Sequence, residues 1–193
     1  MTLKGVIFDM DGTITVPFID WKTLRATLGA PPEKTILEHI ESLPPDRSAW
    51  ANDVLLQTER EACARADLNN GIRDLLTYLE SKGIQTALVT NNHREAMQTV
   101  LERHRLRFDI ALCRDDGQLK PSGDLIEKAL KALGLSATET VAIGDGRYDI
   151  EACRRVGVQC IYLTHGTPDL EHTPEVETLV DALALLQSGD LPD

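Results

Sequence analysis

At 193 residues with 42% apolar side chains, the chain is long enough to bury a full core and ordinary in its hydrophobic share. Lysine plus arginine less aspartate plus glutamate gives 20 − 31 = −11, which argues against nucleic-acid or anionic-membrane binding and requires any anion site to be made positive locally. No apolar run is long enough to span a bilayer, the opening residues MTLKGVIFDMDGT do not read as a signal peptide, and Cys63, Cys113, Cys153 and Cys160 lack metal-binding spacing, so a reduced cytoplasmic protein is expected.

The first element is the short apolar run Gly5–Phe8, which reads as a buried strand and runs straight into Asp9 and Asp11. Two carboxylates one residue apart repel each other unless a cation or a proton lies between them. From Thr15 to Asn70 no strand-like run follows. WKTLRATLGA, KTILEHIESL and SAWANDVLLQTEREACARADL instead read as helices separated by the turn sequences APPEK and LPPDR. Trp21 and Trp50 are expected to pack within this helical insertion, with a substrate-facing role as the alternative. The turns at 15–17 and 69–71 are expected to act as its hinges, because glycine and asparagine tolerate unusual backbone angles.

Beyond the insertion the pattern alternates. Ile72, Leu75, Leu76 and Leu79 share a helical face, Gln85–Val89 is a strand, and NNHREAMQTVLERH opens on asparagines able to cap a helix. Ile110–Leu112 is a third strand, followed by the helix of PSGDLIEKALKALG between Pro121 and Gly134. Val141–Ile143, the helix of DIEACRRVG and the strand Gln159–Leu163 complete the series, and PEVETLVDALALLQ reads as an amphipathic helix packed on the core. Such alternation predicts an α/β fold: a doubly wound, mostly parallel five-stranded sheet covered on both faces. The expected division is a core of residues 1–14 and 71–193 with a helical insertion over 15–70.

In an open α/β sheet, ligands sit beyond the carboxyl ends of the strands. The residues expected there are Asp9 and Asp11 after the first strand, Thr90, Asn91 and Asn92 after the second, Lys120 in LKPS, and Asp145 and Asp149 in GDGRYD. Acids, a hydroxyl and a lysine on one edge suit a phosphate held by magnesium. A carboxylate can take a phosphoryl group, a second can protonate the leaving oxygen, and lysine can offset charge on the phosphoryl oxygens. Each residue also has a plainer reading. The paired aspartates can cap a turn, Thr90 can cap a helix, Lys120 can be solvated, and Asp149 can complement a helix dipole. The five histidines show no ligand spacing, so surface or packing roles are expected, with His93 the one adjacent to a motif.

DMDGT, VTNN, LKPS and GDGRYDIEACRRVG, in this order on alternating strands and helices, resemble the four motifs of the haloacid dehalogenase superfamily, from Gly5 to about Leu163. The resemblance implies that Asp9 is the nucleophile and a magnesium ligand, and that Asp11 is the general acid/base and ligates through its backbone carbonyl. It further implies that Thr90 and Asn91 bind phosphate, that Lys120 stabilises nucleophile and phosphate, and that Asp145 and Asp149 complete the metal set. The insertion falls where that superfamily places its first type of cap, and it is shorter than in many phosphoglycolate-phosphatase-like relatives. Gly146 and Arg147 depart from the small hydroxyl residue that often follows the third acid. The implied activity is a magnesium-dependent phosphatase acting on a small phosphorylated metabolite, of phosphoglycolate or sugar-phosphate type. Asp11 speaks against dehalogenase chemistry. A phosphomutase and a receiver-like phospho-acceptor without turnover are the alternatives.

Overall fold

Six strands lie side by side in the order β3-β2-β1-β4-β5-β6, all parallel, in the computed structural model, which describes residues 2–189 and Leu191. They are β1 (Gly5–Phe8), β2 (Gln85–Val89), β3 (Ile110–Leu112), β4 (Thr140–Gly144), β5 (Gln159–Leu163) and β6 (Glu175–Val176). β1 pairs with β2 on one side and β4 on the other, so both its faces and both its edges are buried. That position explains its uninterrupted apolar sequence.

Side-chain alternation divides the interior in two. Val6, Phe8, Leu88, Val141 and Ile143 point to one face, covered by α4 (Ile72–Ser81), α5 (Arg94–His104) and α8 (Leu179–Ser188). Ile7, Ala87, Val89 and Ala142 point to the other, covered by α6 (Asp124–Leu133) and α7 (Arg147–Val156). The period of two along each strand thus feeds two separate cores. All four cysteines are buried and free, as their spacing predicts.

Between β1 and α4 the chain forms α1 (Trp21–Leu28), α2 (Ile36–Glu41) and α3 (Pro45–Arg65). Asp20 caps α1 by accepting from the Thr23 amide, Thr35 and Glu38 form a capping box on α2, and Pro45 begins α3 where its missing N–H costs nothing. These helices bury a third apolar cluster of their own, with Leu24, Leu28, Ile36, Ile40, Ala51 and Leu55. The two chain segments joining them to the sheet run side by side. Val16 N–H donates to the Asp67 carbonyl and Asn69 N–H to the Ile14 carbonyl, both at 2.9 Å. The Asn69 amide nitrogen also reaches the carbonyls of Gly12, Thr13 and Thr15 at 2.8, 2.8 and 3.1 Å.

Three expectations need correction. The sheet has six strands rather than five, because Glu175–Val176 adds a two-residue strand beside β5 before α8 begins. The helix is delayed to Leu179, where the Thr178 side chain caps it by accepting from the Asp181 amide. The tryptophans do not pack inside the insertion: Trp21 and Trp50 are 45% and 43% exposed. Among the described residues no helix is long and apolar enough to cross a membrane.

Candidate active site

The strand order reverses direction between β1 and β4, and a crevice opens there at the carboxyl ends. Asp9 leaves β1 on one side of the crevice, its N–H donating to the Ile143 carbonyl at 3.0 Å, and Asp145 leaves β4 on the other. Gly12 lets the loop after β1 fold against β4. Its φ is +86°, and a Cβ there would lie 1.9 Å from Asp145 Oδ2. Only glycine meets both conditions.

Lys120 reaches the same crevice from the loop before α6 and is 4% exposed. Its Nζ donates to Asp9 Oδ1 at 2.5 Å, to Asp149 Oδ1 at 2.6 Å and to the Val89 carbonyl at 3.1 Å. Burial works against the ammonium, but Asp149 and Asp9 outweigh it and hold its pKa above the ordinary lysine value. Asp149 does two jobs: Oδ1 meets Lys120, while Oδ2 accepts the Gly146 N–H at the start of α7 at 3.2 Å. One oxygen of Asp9, Asp145 and Asp149 each lies within 4.8 Å of the others.

Burial raises the Asp9 carboxyl to about 7, opposed by Lys120 and reinforced by the nearby Asp149 and Asp11 charges. Burial likewise lifts Asp145 well above the usual carboxylate range, with Asp9 and Asp149 adding to it. Asp11 is raised by burial too, against a hydrogen bond from Asn92 and the pull of Lys120. Fully ionised, the four carboxylates would face one ammonium with an excess of 4 − 1 = 3 negative charges, which is what burial resists. Three hard oxygen donors around an unbalanced negative charge fit a small divalent cation.

Thr90 and Asn91 close the second strand's side of the crevice. Thr90 is buried, and its Oγ1 accepts the Asn92 N–H at 3.0 Å. The Asn91 side chain is turned to a use that the motif does not announce. Its Nδ2 donates to the Lys120 carbonyl and its Oδ1 accepts the Lys120 N–H, both at 2.8 Å, so the amide holds the lysine loop. The cleft above these groups has a volume of about 610 Å3, and Trp21, Ile36, Leu37 and Leu55 of the insertion form its apolar wall. Arg147 bridges the rim, donating from Nη2 to the Pro32 carbonyl at 3.3 Å. A second groove, about 740 Å3, lies at the amino ends of β2 and β3 and contains none of the motif residues.

Several polar residues at the site carry no motif signal. Glu59 on α3 is 4% exposed and takes a two-pronged ion pair from Arg114, Nη1 to Oε1 and Nη2 to Oε2, both at 3.0 Å. Its Oε2 also lies 3.1 Å from His93 Nδ1. Burial pushes the Glu59 carboxyl up to about 7 against the pull of Arg114. Glu59 and Arg114 lie 55 residues apart, and nothing local in either segment distinguishes them from surface charges. Asn92, by contrast, sits inside the VTNN motif.

A family model described as haloacid dehalogenase-like hydrolase matches residues 19–163, and the chain belongs to that family. A haloacid dehalogenase-like hydrolase domain-containing protein of Arabidopsis thaliana is 33% identical over 167 residues, covering 80% of this chain and 68% of the relative. The phosphoglycolate phosphatase of Pseudomonas syringae pv. tomato is 28% identical, covering 97% of this chain and 80% of its own length. Among solved structures, a HAD hydrolase of family IA, variant 3, from Entamoeba histolytica superposes with a TM-score of 0.76 at 17% identity, covering 93% of this chain and 95% of that one. A HAD-superfamily hydrolase from Ehrlichia chaffeensis does so with 0.69 at 22%, covering 97% and 98%. At these identities the structures speak for the fold. The protein is a phosphatase-type hydrolase of this family, and its acidic cluster is consistent with a metal site.

Proposed function

We propose that the protein is a magnesium-dependent phosphatase that cleaves a small phosphomonoester through an aspartyl-phosphate on Asp9. The observation that carries this is the buried Lys120 ammonium bridging Asp9 and Asp149 beside Asp145, at the sheet's reversal point. Asp9, Asp145 and Asp149 would hold the cation, with the Asp11 carbonyl. Magnesium would neutralise the carboxylate excess and orient the phosphate oxygens.

An Asp9 carboxylate oxygen attacks phosphorus, a new O–P bond forms, and the P–O bond to the substrate alcohol breaks. Asp11 gives its proton to that departing oxygen, then takes one from the water that hydrolyses the aspartyl-phosphate. Lys120 keeps Asp9 oriented and offsets charge on the transferring group. Thr90 Oγ1 and the backbone after β2 contact the remaining phosphate oxygens, while Asn91 fixes the Lys120 loop. Residues 1–14 and 71–193 form the catalytic core and 15–70 a small cap of the first type, whose apolar wall receives the substrate's organic part. The phosphoglycolate phosphatase relatives favour a phosphoglycolate-like substrate, with a small sugar phosphate as the alternative.

Release of inorganic phosphate from a panel of small phosphomonoesters, with magnesium or EDTA, tests the reading. Wild type is expected to release phosphate only with magnesium, and Asp9→Asn to lose at least ~1,000-fold of that rate, the scale for removing a nucleophile. An isomerised sugar phosphate without net phosphate release would show a mutase instead.

A further inference from the structure

Asn92 is 4% exposed and its side-chain orientation is determined by its neighbours. Oδ1 accepts the His93 backbone N–H at 2.9 Å, and only an oxygen can do so, which turns Nδ2 toward Asp11 Oδ2 at 3.1 Å. Nδ2 also faces the Cys63 sulfur at 3.7 Å. His93 Nδ1 lies between two acceptors, Asn92 Oδ1 at 3.0 Å and Glu59 Oε2 at 3.1 Å, so Nδ1 carries the hydrogen. Glu59 is in turn held by both Arg114 nitrogens, and the Arg114 N–H donates to the Asn92 carbonyl at 3.1 Å. The loop therefore closes on itself: Asn92, His93, Glu59, Arg114 and back to Asn92. Asp11 hangs from it by one hydrogen bond.

The geometry points to Asn92 as the positioning residue for the general acid, held in place through His93 by Glu59 of the inserted helix α3. This rests on the proposed reading of Asp11. The Asn92 N–H occupies Asp11 Oδ2, so the proton that Asp11 transfers sits on Oδ1. As the P–O bond breaks, the Oδ1–H bond gives its proton to the leaving oxygen, and Oδ2 keeps its hydrogen bond throughout. The insertion thus contributes to the chemical step from behind, besides walling the cleft.

A defect in proton donation has a signature that a packing defect lacks. A p-nitrophenolate leaves without a proton, whereas a simple alkoxide does not. Steady-state hydrolysis of p-nitrophenyl phosphate and of glycerol phosphate, with magnesium, is measured for wild type, Asn92→Ala, Glu59→Gln and the double variant. Circular dichroism establishes that each variant is folded. Glutamine offers Arg114 and His93 one oxygen instead of two, so it loosens the ring while keeping its shape.

Asn92→Ala is expected to lower kcat on glycerol phosphate by about 10–100-fold, part of the general-acid contribution, and on p-nitrophenyl phosphate by less than about threefold. Glu59→Gln is expected to show the same split at smaller size, and the double variant to be no slower than Asn92→Ala, because the two act along one path. Should Asn92→Ala fail to fold, the leaving-group split in Glu59→Gln alone decides. Equal losses on both esters, or effects that multiply in the double variant, overturn the inference and leave the phosphatase reading intact. A wild-type protein inert on these two esters and on every member of the phosphomonoester panel overturns the phosphatase reading, and this inference falls with it.

Discussion

Gly12 is where sequence and chemistry meet most tightly. The loop after β1 must turn back so that Asp9 and Asp11 face the acids that follow β4, and the turn is made at φ +86° with Asp145 pressed against it. Gly12→Ala would add the cost of a left-handed alanine, about 1–3 kcal/mol, and drive Asp145 out of its place. A displacement of about 1 Å at a reacting centre is worth roughly 100-fold in rate. Gly12→Ala is therefore expected to retain the fold, with a melting temperature lowered by several degrees, while kcat falls at least ~100-fold. Activity near wild type would contradict the tight packing of this turn on Asp145. The gathering of Asp9, Asp11, Thr90, Lys120, Asp145 and Asp149 at one crevice was legible because DMDGT, VTNN, LKPS and GDGRYD place particular side chains at strand ends. Glu59 and Arg114 were not, and His93 only through its place after VTNN, since their partnership depends on how α3 lies across the sheet. The tie of the Asn91 amide to the Lys120 backbone was not legible for a related reason: the motif gives the residue's position but not the direction of its side chain.

The inserted helices differ in how firmly they are held. α1 and α2 pack chiefly on α3 and on each other through Leu24, Leu28, Ile36 and Ile40. The second half of α3 is tied to the sheet's own helices. Glu59 pairs with Arg114, Arg60 donates to Glu95 at 3.1 Å, and Arg103 donates from Nη1 to the carbonyl of Ala66, just beyond the helix. Cys63 belongs to the main core, and α3 packs along α5. Hinges at 15–17 and 69–71 would have to break the buried Glu59–Arg114 pair, with the Cys63 packing behind it, to swing the insertion as one body. Opening is therefore expected to involve α1 and α2 while α3 stays docked. Hydrogen exchange followed by mass spectrometry should find the amides of residues 59–65 exchanging more slowly than those of α1 and α2. Uniform exchange across all three helices would show a rigid swing of the whole insertion.

The elements were easier to read than their ends. Buried strands β1 to β5 stand out because parallel strands covered on both faces are continuously apolar. β6 is only two residues long and follows Pro174 in a stretch whose later residues have helical spacing, so the helix pattern masked it. The tryptophans misled because large aromatic side chains default to the core. Trp21 instead lines the cleft, and Trp50 lies on the surface under the Arg47 guanidinium, 5.7 Å from its ring centre.

At the scale of the whole molecule, a chain of net charge −11 concentrates further negative charge in its crevice. Without a cation this has a cost that depends on pH. Burial raises the folded-state pKa of Asp9 to about 7, from an ordinary 3.8 in the unfolded chain, and that of Asp145 is raised as well. Between those values the folded protein binds the extra proton and the unfolded chain does not. Stability contributed by the neutral carboxyls is present at low pH and lost as pH rises toward about 7. Magnesium competes for the same oxygens, so it should stabilise little at pH 5.5 and strongly at pH 8. At a hundredfold excess over its Kd the gain is about 2.7 kcal/mol, or roughly 5–11 °C at 2–4 °C per kcal/mol for a chain of this size. Thermal melts at the two pH values, with and without magnesium, measure it directly. Equal shifts at both would show that the cation does not bind at the buried carboxylates.

The central claim is that Asp9 carries the phosphoryl group. The most direct test is rapid acid quenching of wild-type protein during turnover, followed by peptide mass spectrometry. A phosphoryl adduct on the peptide containing Asp9, formed with magnesium and absent with EDTA, is the predicted result. Sustained phosphate release with no adduct at Asp9, undiminished in Asp9→Asn, would contradict it.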